Sequence, residues 1–171
     1  MSPATYHLWV KPSGAVREML VQTIRELAHE LGGPVFEPHV TLLADLIGTE
    51  QEHTQRSRIA TRQLQPFEII LSEPSYRTQY FQCLFMRVEQ TPSLMSANAL
   101  ARRIFQNPDE TFRPHLSLAY GSHPASRKKA VIHNLPPDVR TSFEVTTLSL
   151  IRADSRDPKE WHEIATYPFA S

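Results

Sequence analysis

The chain has 171 residues and a formal net charge of zero, from 18 basic and 18 acidic side chains. Hydrophobic residues make up 40% of the sequence and charged residues 21%, as in globular rather than disordered proteins. The balanced charge argues against broad, nonspecific binding to a nucleic-acid backbone. The single cysteine, Cys83, excludes an internal disulfide and a thiol-ligated metal site, and it fits a reducing compartment.

The length predicts one domain, residues 1–171, built from two lobes. No run approaches the roughly 18 apolar residues of a membrane span. Segment 1–7 also lacks the basic and apolar regions of a secretion signal. We therefore expect a cytoplasmic protein with no membrane partner, and a monomer by default.

The first half of the chain predicts the order β-α-β-α from its apolar spacing and its helix caps. The predicted elements are a strand at 6–10, a helix from the cap Ser13 to the Gly-Gly-Pro at 32–34, a strand at 38–43, and a helix from the capping box Thr49/Glu52 to about residue 64.

The second half predicts a hairpin, then helices alternating with strands. Its predicted elements are strands at 67–71 and 80–88, a helix from Thr91-Pro92 to just before Pro108, a strand at 114–118, a helix at 126–133, and closing strands at 143–151 and 161–167. The whole chain is therefore predicted to be α+β.

One sequence pattern occurs twice: Pro, His, an aliphatic residue, Thr or Ser, then Leu. The two copies are Pro38-His39-Val40-Thr41-Leu42 and Pro114-His115-Leu116-Ser117-Leu118. The His-x-[Ser/Thr] part alone is common, but two copies of the longer pattern are not expected by chance.

Strand geometry explains what the repeat can do. Residues i and i+2 of a strand point to the same face, so each His projects together with its Thr or Ser, and the aliphatic residues face the core. If the two halves are related by an approximate two-fold axis, two imidazoles and two hydroxyls meet across a cleft. One imidazole can take a proton from water while the other protonates a leaving oxygen, and hydroxyls can stabilise phosphate oxygens.

Two simpler interpretations remain. The histidines could be hydrogen-bonded core residues, although burying polar residues in duplicate without partners is unfavourable. They could also be zinc ligands, but no third ligand with a recognisable spacing is present. The sequence therefore favours acid/base chemistry without a metal or other cofactor.

The two motifs resemble those of the 2H phosphoesterase superfamily, which is named for two H-x-[T/S] motifs. More narrowly, the chain resembles the plant and fungal cyclic phosphodiesterases over nearly its whole length. The residues that carry this resemblance are Tyr6-x-x-Trp9-x-x-Pro12, Pro38-His39-Val40-Thr41, Phe81-Gln82-Cys83, Thr91-Pro92 and Pro114-His115-Leu116-Ser117-Leu118-x-Tyr120.

The resemblance implies a two-lobed α+β fold, with two antiparallel sheets and outer helices flanking a central cleft. It also implies metal-independent hydrolysis of ADP-ribose 1″,2″-cyclic phosphate to ADP-ribose 1″-phosphate downstream of tRNA splicing, and of nucleoside 2′,3′-cyclic phosphates to 2′-phosphates. The implied site residues are the catalytic His39 and His115, the phosphate-binding Thr41 and Ser117, and the substrate-binding Tyr120, Trp9 and Phe81.

Several points stay open at the level of sequence. His115 is favoured as the base and His39 as the acid, and the physiological cyclic phosphate is undecided. We expect a small cyclic phosphate nucleotide as ligand and no stable nucleic-acid complex. The alternatives are a 2H enzyme that acts on RNA ends and a non-catalytic nucleotide-binding module. His7 alternates with Trp9 and could reach the cleft, but it is interpreted as a surface or packing residue. Arg113 is interpreted as a surface ion-pair residue that could also attract phosphate.

Overall fold

A computed structural model describes residues 3–170 as strands and helices in alternation. The strands are β1 (Thr5–Val10), β2 (Val40–Ile47), β3 (Phe67–Tyr76), β4 (Leu84–Val88), β5 (His115–Ala119), β6 (Ser142–Val145), β7 (Thr147–Arg152) and β8 (His162–Pro168). The α-helices are α1 (Gly14–Leu31), α2 (Glu50–Thr61), α3 (Pro92–Phe105) and α4 (Ala125–His133).

The four helices confirm the predicted ones, because their boundaries are set by local residues. In α2 both hydrogen bonds of the Thr49–Glu52 capping box form, and in α3 Thr91 accepts from the backbone of the first turn. Helix α1 ends at Gly32, whose φ of 73° is left-handed. Ser13 does occupy the N-cap position of α1, but its side chain makes no capping hydrogen bond.

The strands form an antiparallel ladder in the order β6-β3-β4-β5-β2-β1-β7-β8. Its two four-stranded halves are joined between β2 and β5 by the pairing of Val40 with Leu116. The predicted α+β fold with two lobes is confirmed, and the two sheets of the prediction meet along this short seam. The two repeated motifs stand on the two strands that form it.

The predicted strands 67–71, 80–88 and 143–151 differ from the structure. Residues 80–82 form a single 3-10 turn rather than the start of a strand, and β3 instead continues through Pro74 to Tyr76. The register shift between Leu71 and Pro74 accommodates the proline, which has no N–H to donate. The predicted strand 143–151 is two strands, since β6 pairs with β3 whereas β7 pairs with β1 and β8.

The alternation predicted for the two motifs determines where the core and the cleft lie. Val40, Leu42, Leu116 and Leu118 are at most 1% exposed and belong to the core. The histidines and hydroxyls that alternate with them point to the other face. Within residues 3–170, no helix is long and apolar enough to cross a membrane.

Candidate active site

The two motifs line one cleft of about 520 Å³ between the halves of the sheet. All of the site residues predicted from the sequence lie on its walls. They are His39, Thr41, His115, Ser117, Trp9, Phe81 and Tyr120. His39 directly precedes β2 rather than lying within it, and His115 is the first residue of β5.

The two imidazoles are held in the same way by the backbone two residues earlier in the chain. Nδ1 of His39 donates to the carbonyl oxygen of Glu37 at 2.7 Å, and Nδ1 of His115 donates to that of Arg113 at 3.1 Å. A carbonyl oxygen can only accept, so Nδ1 carries the proton in both rings. In the neutral ring, Nε2 of each histidine is then a free base.

The surroundings of the two imidazoles differ. His39 is 8% exposed and stacks on Trp9, with ring centroids 3.5 Å apart and planes 9° from parallel. Burial lowers the pKa of His39 to about 3, against the raising effect of its bond to the Glu37 carbonyl. His115 is only half-buried, and its pKa is lowered chiefly by burial and further by the positive charge of Arg77.

The two hydroxyls are not equivalent either. Ser117 is buried, and its Oγ donates to the carbonyl oxygen of Phe81 at 2.8 Å. Thr41 lies half-buried on the opposite side of the seam. Ser117 must therefore turn away from Phe81 before it can donate to a phosphate oxygen, because a hydroxyl has a single proton.

An aromatic wall lines the cleft, and Trp161 stands at its centre. The ring centroid of Trp161 is 5.8 Å from that of Trp9 and 6.0 Å from those of Phe81 and Tyr120. Its Nε1 donates to the Ser155 carbonyl at 2.6 Å, which fixes the ring. Trp161 lies outside the two motifs and is known here only as the first residue of the predicted strand 161–167, where a tryptophan is a usable signal.

His7 also lines the cleft, which is the alternative that its alternation with Trp9 left open. It alternates with Trp9 on β1 and therefore shares its face. Its Nδ1 accepts a long bond, 3.4 Å, from the backbone N–H of Asp45, whose φ of 55° is left-handed. Burial lowers the pKa of His7, and the carboxylate of Asp45 raises it in part. A third imidazole thus borders the site.

The part of the chain that the structure describes gathers no group of three or more His, Cys, Asp or Glu side chains able to hold a metal ion. Arg113, expected to form a surface ion pair, has no carboxylate within ion-pair distance among residues 3–170. It stands beside His115 at the edge of the cleft.

Two relatives named as phosphodiesterases are similar to the chain in sequence. It is 27% identical to the cyclic phosphodiesterase of Arabidopsis thaliana over 167 residues, which cover 94% of this chain and 92% of that protein. It is 29% identical to a 2′,3′-cyclic-nucleotide 3′-phosphodiesterase of Yarrowia lipolytica over 106 residues, which cover 57% of this chain and 49% of that protein.

Solved structures share the fold at lower sequence identity. E. coli LigT complexed with 3′-AMP superposes with a TM-score of 0.71 at 17% identity, over 99% of this chain and 100% of that one. Kluyveromyces marxianus Usb1 superposes with a TM-score of 0.55 at 11% identity, over 98% of this chain and 99% of that one. These matches establish the fold.

The family model described as cyclic phosphodiesterase-like protein matches residues 4–150, a segment that holds both histidine motifs, the whole of β1 to β6 and part of β7. The chain therefore belongs to the cyclic phosphodiesterase-like family of the 2H phosphoesterase superfamily and is a phosphodiesterase.

Proposed function

We propose that the protein hydrolyses ADP-ribose 1″,2″-cyclic phosphate to ADP-ribose 1″-phosphate, and opens nucleoside 2′,3′-cyclic phosphates to 2′-phosphates. The observation that carries the proposal is the matched state of His39 and His115, which both hold the proton on Nδ1 and leave Nε2 free in one cleft. The names of the Arabidopsis and Yarrowia relatives support the choice of a cyclic phosphodiester.

The proposed reaction is an in-line displacement at phosphorus. One imidazole takes a proton from water as the water oxygen bonds to phosphorus. The bond from phosphorus to the leaving ribose oxygen breaks, and the second imidazole donates a proton to that oxygen. In a 2′,3′-cyclic phosphate the leaving atom is O3′, and in the ADP-ribose substrate it is O2″.

The exposure of the two histidines supports His115 as the base. The attacking water must reach the base from solvent, and His115 is half-buried whereas His39 is buried against the Trp9 ring. His39 is then the acid, with a pKa of about 3 in the ligand-free protein. A bound phosphate anion raises that pKa, because an adjacent negative charge favours the imidazolium.

The remaining cleft residues bind rather than transfer protons in this proposal. Thr41 and Ser117 donate to the nonbridging phosphate oxygens, which gain charge in the transition state. Trp9, Phe81 and Tyr120 present ring faces and edges against which a base or ribose can pack.

The deciding experiment measures hydrolysis of ADP-ribose 1″,2″-cyclic phosphate and the four nucleoside 2′,3′-cyclic phosphates in excess EDTA. We expect turnover by the wild type, and kcat lower by about 10²- to 10⁴-fold in His39→Ala and in His115→Ala. His29→Ala, on an exposed position of α1, is the matched control and keeps full activity. Phosphorus NMR identifies the product isomer.

Near wild-type rates in either cleft variant would remove the two-histidine mechanism. Loss of turnover in EDTA would argue for a metal-dependent reaction. Opening of the nucleoside substrates without the ADP-ribose substrate would leave the enzyme class intact and overturn the substrate assignment.

A further inference from the structure

A second groove, of about 320 Å³, opens beside His115. Three arginines line it, and we call it the arginine groove after them: Arg77, Arg87 and Arg113. No Asp or Glu lines it within the part of the chain that the structure describes. The groove shares His115 with the catalytic cleft, so a molecule held at the cleft can extend into it.

Sheet register places Arg87 on the same face as the catalytic residues. Arg87 of β4 lies directly opposite His115 of β5, and Phe85 lies opposite Ser117. Side chains opposite each other in an antiparallel pair project to the same face. Arg113 precedes His115 by two residues and supplies the carbonyl that holds its ring. The arginine side chains therefore border the catalytic imidazole.

The charges of the groove are not neutralised by the protein. Among residues 3–170, none of the three guanidinium groups has a carboxylate within ion-pair distance. Arg77 lies over the Phe85 ring at 5.8 Å, and that ring meets His115 edge-on at 5.4 Å. Nη2 of Arg87 donates to the Ser75 hydroxyl at 3.4 Å, which leaves its other N–H groups free.

We infer that the arginine groove binds a phosphate group attached to the 5-carbon of the same ribose whose cyclic phosphate reacts between His39 and His115. This inference rests on the proposed function. Guanidinium groups bind phosphate through paired, charge-assisted hydrogen bonds, and three of them without a neighbouring acid favour an anion over a neutral base or a sugar hydroxyl. A 5-phosphate is separated from the reacting phosphorus by one ribose ring, and the groove adjoins the cleft at His115.

Two substrates supply this chemistry. In ADP-ribose 1″,2″-cyclic phosphate the group is the pyrophosphate on C5″, and in an oligoribonucleotide with a 2′,3′-cyclic end it is the last phosphodiester. Overall neutrality of the chain does not conflict with either, because the positive charge is concentrated at one groove. A nucleoside cyclic phosphate with a 5′-hydroxyl leaves the groove unused.

The test compares adenosine 2′,3′-cyclic phosphate with its 5′-phosphorylated form. We expect the 5′-phosphate to raise kcat/KM of the wild type by about tenfold or more. In the double variant Arg87→Gln/Arg113→Gln this ratio should fall close to one. Arg103→Gln, an exposed arginine of α3 outside the groove, is the matched charge control and keeps both the activity and the ratio.

A ratio of rates in one protein sample is independent of how much of a variant folds. The inference is overturned if the ratio of kcat/KM values is near one in the wild type, or if it is undiminished in the double variant. Turnover of the 5′-hydroxyl substrate would in either case leave the proposed function standing. ADP-ribose 1″,2″-cyclic phosphate and a trinucleotide with a 2′,3′-cyclic end, assayed beside them, show which 5-phosphate source gains more from the arginines.

If neither adenosine substrate is turned over, a measurement of ligand affinity tests the inference instead. Calorimetry then compares adenosine 2′,5′-bisphosphate with adenosine 2′-phosphate on the wild type and the double variant. Tighter binding of the bisphosphate, lost in the double variant, supports the arginine groove. Equal affinity of the two ligands for the wild type overturns it.

Discussion

His39 and Ser117 show how single contacts distinguish two copies of one motif. The His39 ring lies against Trp9, whereas the corresponding ring of His115 meets Phe85 edge-on. Ser117 donates to the Phe81 carbonyl, while Thr41 lies half-buried across the seam. In each copy the histidine donates to the backbone carbonyl two residues earlier, but the side chains around the two rings differ. Such a difference suits one group that acts as a base and another that acts as an acid.

The hydroxyl of Thr41 gives a prediction at this scale. Thr41→Val keeps the shape of the side chain and removes the donor, so kcat/KM for a 2′,3′-cyclic nucleotide should fall about 10²- to 10³-fold. Thr41→Ser retains the donor and should stay within about tenfold of the wild type on the same basis. Steady-state kinetics of the three proteins check this.

A thermal melt of the same Thr41 proteins separates chemistry from folding, since both substitutions should leave the fold intact. Equal activity of the Val and Ser variants would show that this hydroxyl does not contact the reacting phosphate.

At the scale of elements, helix α4 supports one wall of the cleft through a buried lysine. Lys128 is 4% exposed, its Nζ donates to the carbonyl oxygen of Arg77 at 2.8 Å, and it lies 5.2 Å from the Tyr76 ring centre. The segment that begins at Arg77 carries the 3-10 turn Tyr80–Gln82 and hence Phe81. A helix far along the chain thus holds a turn that lines the cleft.

Lys128→Met tests this support. The variant leaves the Arg77 carbonyl without its donor, so the free energy of unfolding should fall by about 1–3 kcal/mol. The KM for a cyclic nucleotide should rise more than kcat falls, because the turn carries a binding wall and not a proton-transfer group. Urea unfolding and steady-state kinetics measure the two effects.

Lys129→Met is the matched control, because Lys129 is exposed on the same helix. It should match the wild type in both measurements. A Lys128→Met protein with unchanged stability and KM would show that the turn does not depend on α4.

Elements differ in how far sequence predicts them. The capping box at Thr49 and the left-handed Gly32 act within a few residues, so the helices were predicted close to their observed ends. Segment 143–151 looks like one strand because apolar and β-branched residues recur along its whole length. Its division into β6 and β7 depends on partners elsewhere in the sheet, which no local pattern reports.

At the scale of the whole molecule, burial lowers the pKa of four histidines. They are His7, His39, His53 and His115, and desolvation is the largest cause for each. His53 is 1% exposed between the rings of Tyr6 and Phe105. An unfolded histidine has a pKa near ~6.5, so below that pH the unfolded chain binds more protons than the folded one.

The free energy of unfolding should therefore be highest above about pH 6.5 and should decrease as the pH falls through the lowered folded-state values. For His39 this folded-state pKa is about 3. Urea unfolding at pH 7.5 and at pH 5 measures the decrease. His53→Leu replaces the imidazole with an apolar side chain of similar size between the rings of Tyr6 and Phe105. The free energy of unfolding of this variant should fall less between pH 7.5 and pH 5 than that of the wild type.

His29→Ala, at an exposed position, should leave the pH dependence as it is in the wild type. Equal stability of the wild type at pH 7.5 and pH 5 would show that these buried histidines do not set its acid sensitivity.

By itself the sequence determined the helices, the α+β class and the paired motifs, because caps, apolar periods and strand alternation act over a few residues. It also indicated which motif residues face the core and which face away, and Leu42 and Leu118 lie in the core as predicted.

Only the tertiary structure decided what surrounds those motifs. Trp161 and His7 join the cleft, and Arg77 and Arg87 join Arg113 beside His115, from segments far apart in the chain. Their positions follow from which strands pair and in which register. The lowered pKa of His39 likewise comes from the combined burial by several strands, a quantity that no single stretch of sequence contains.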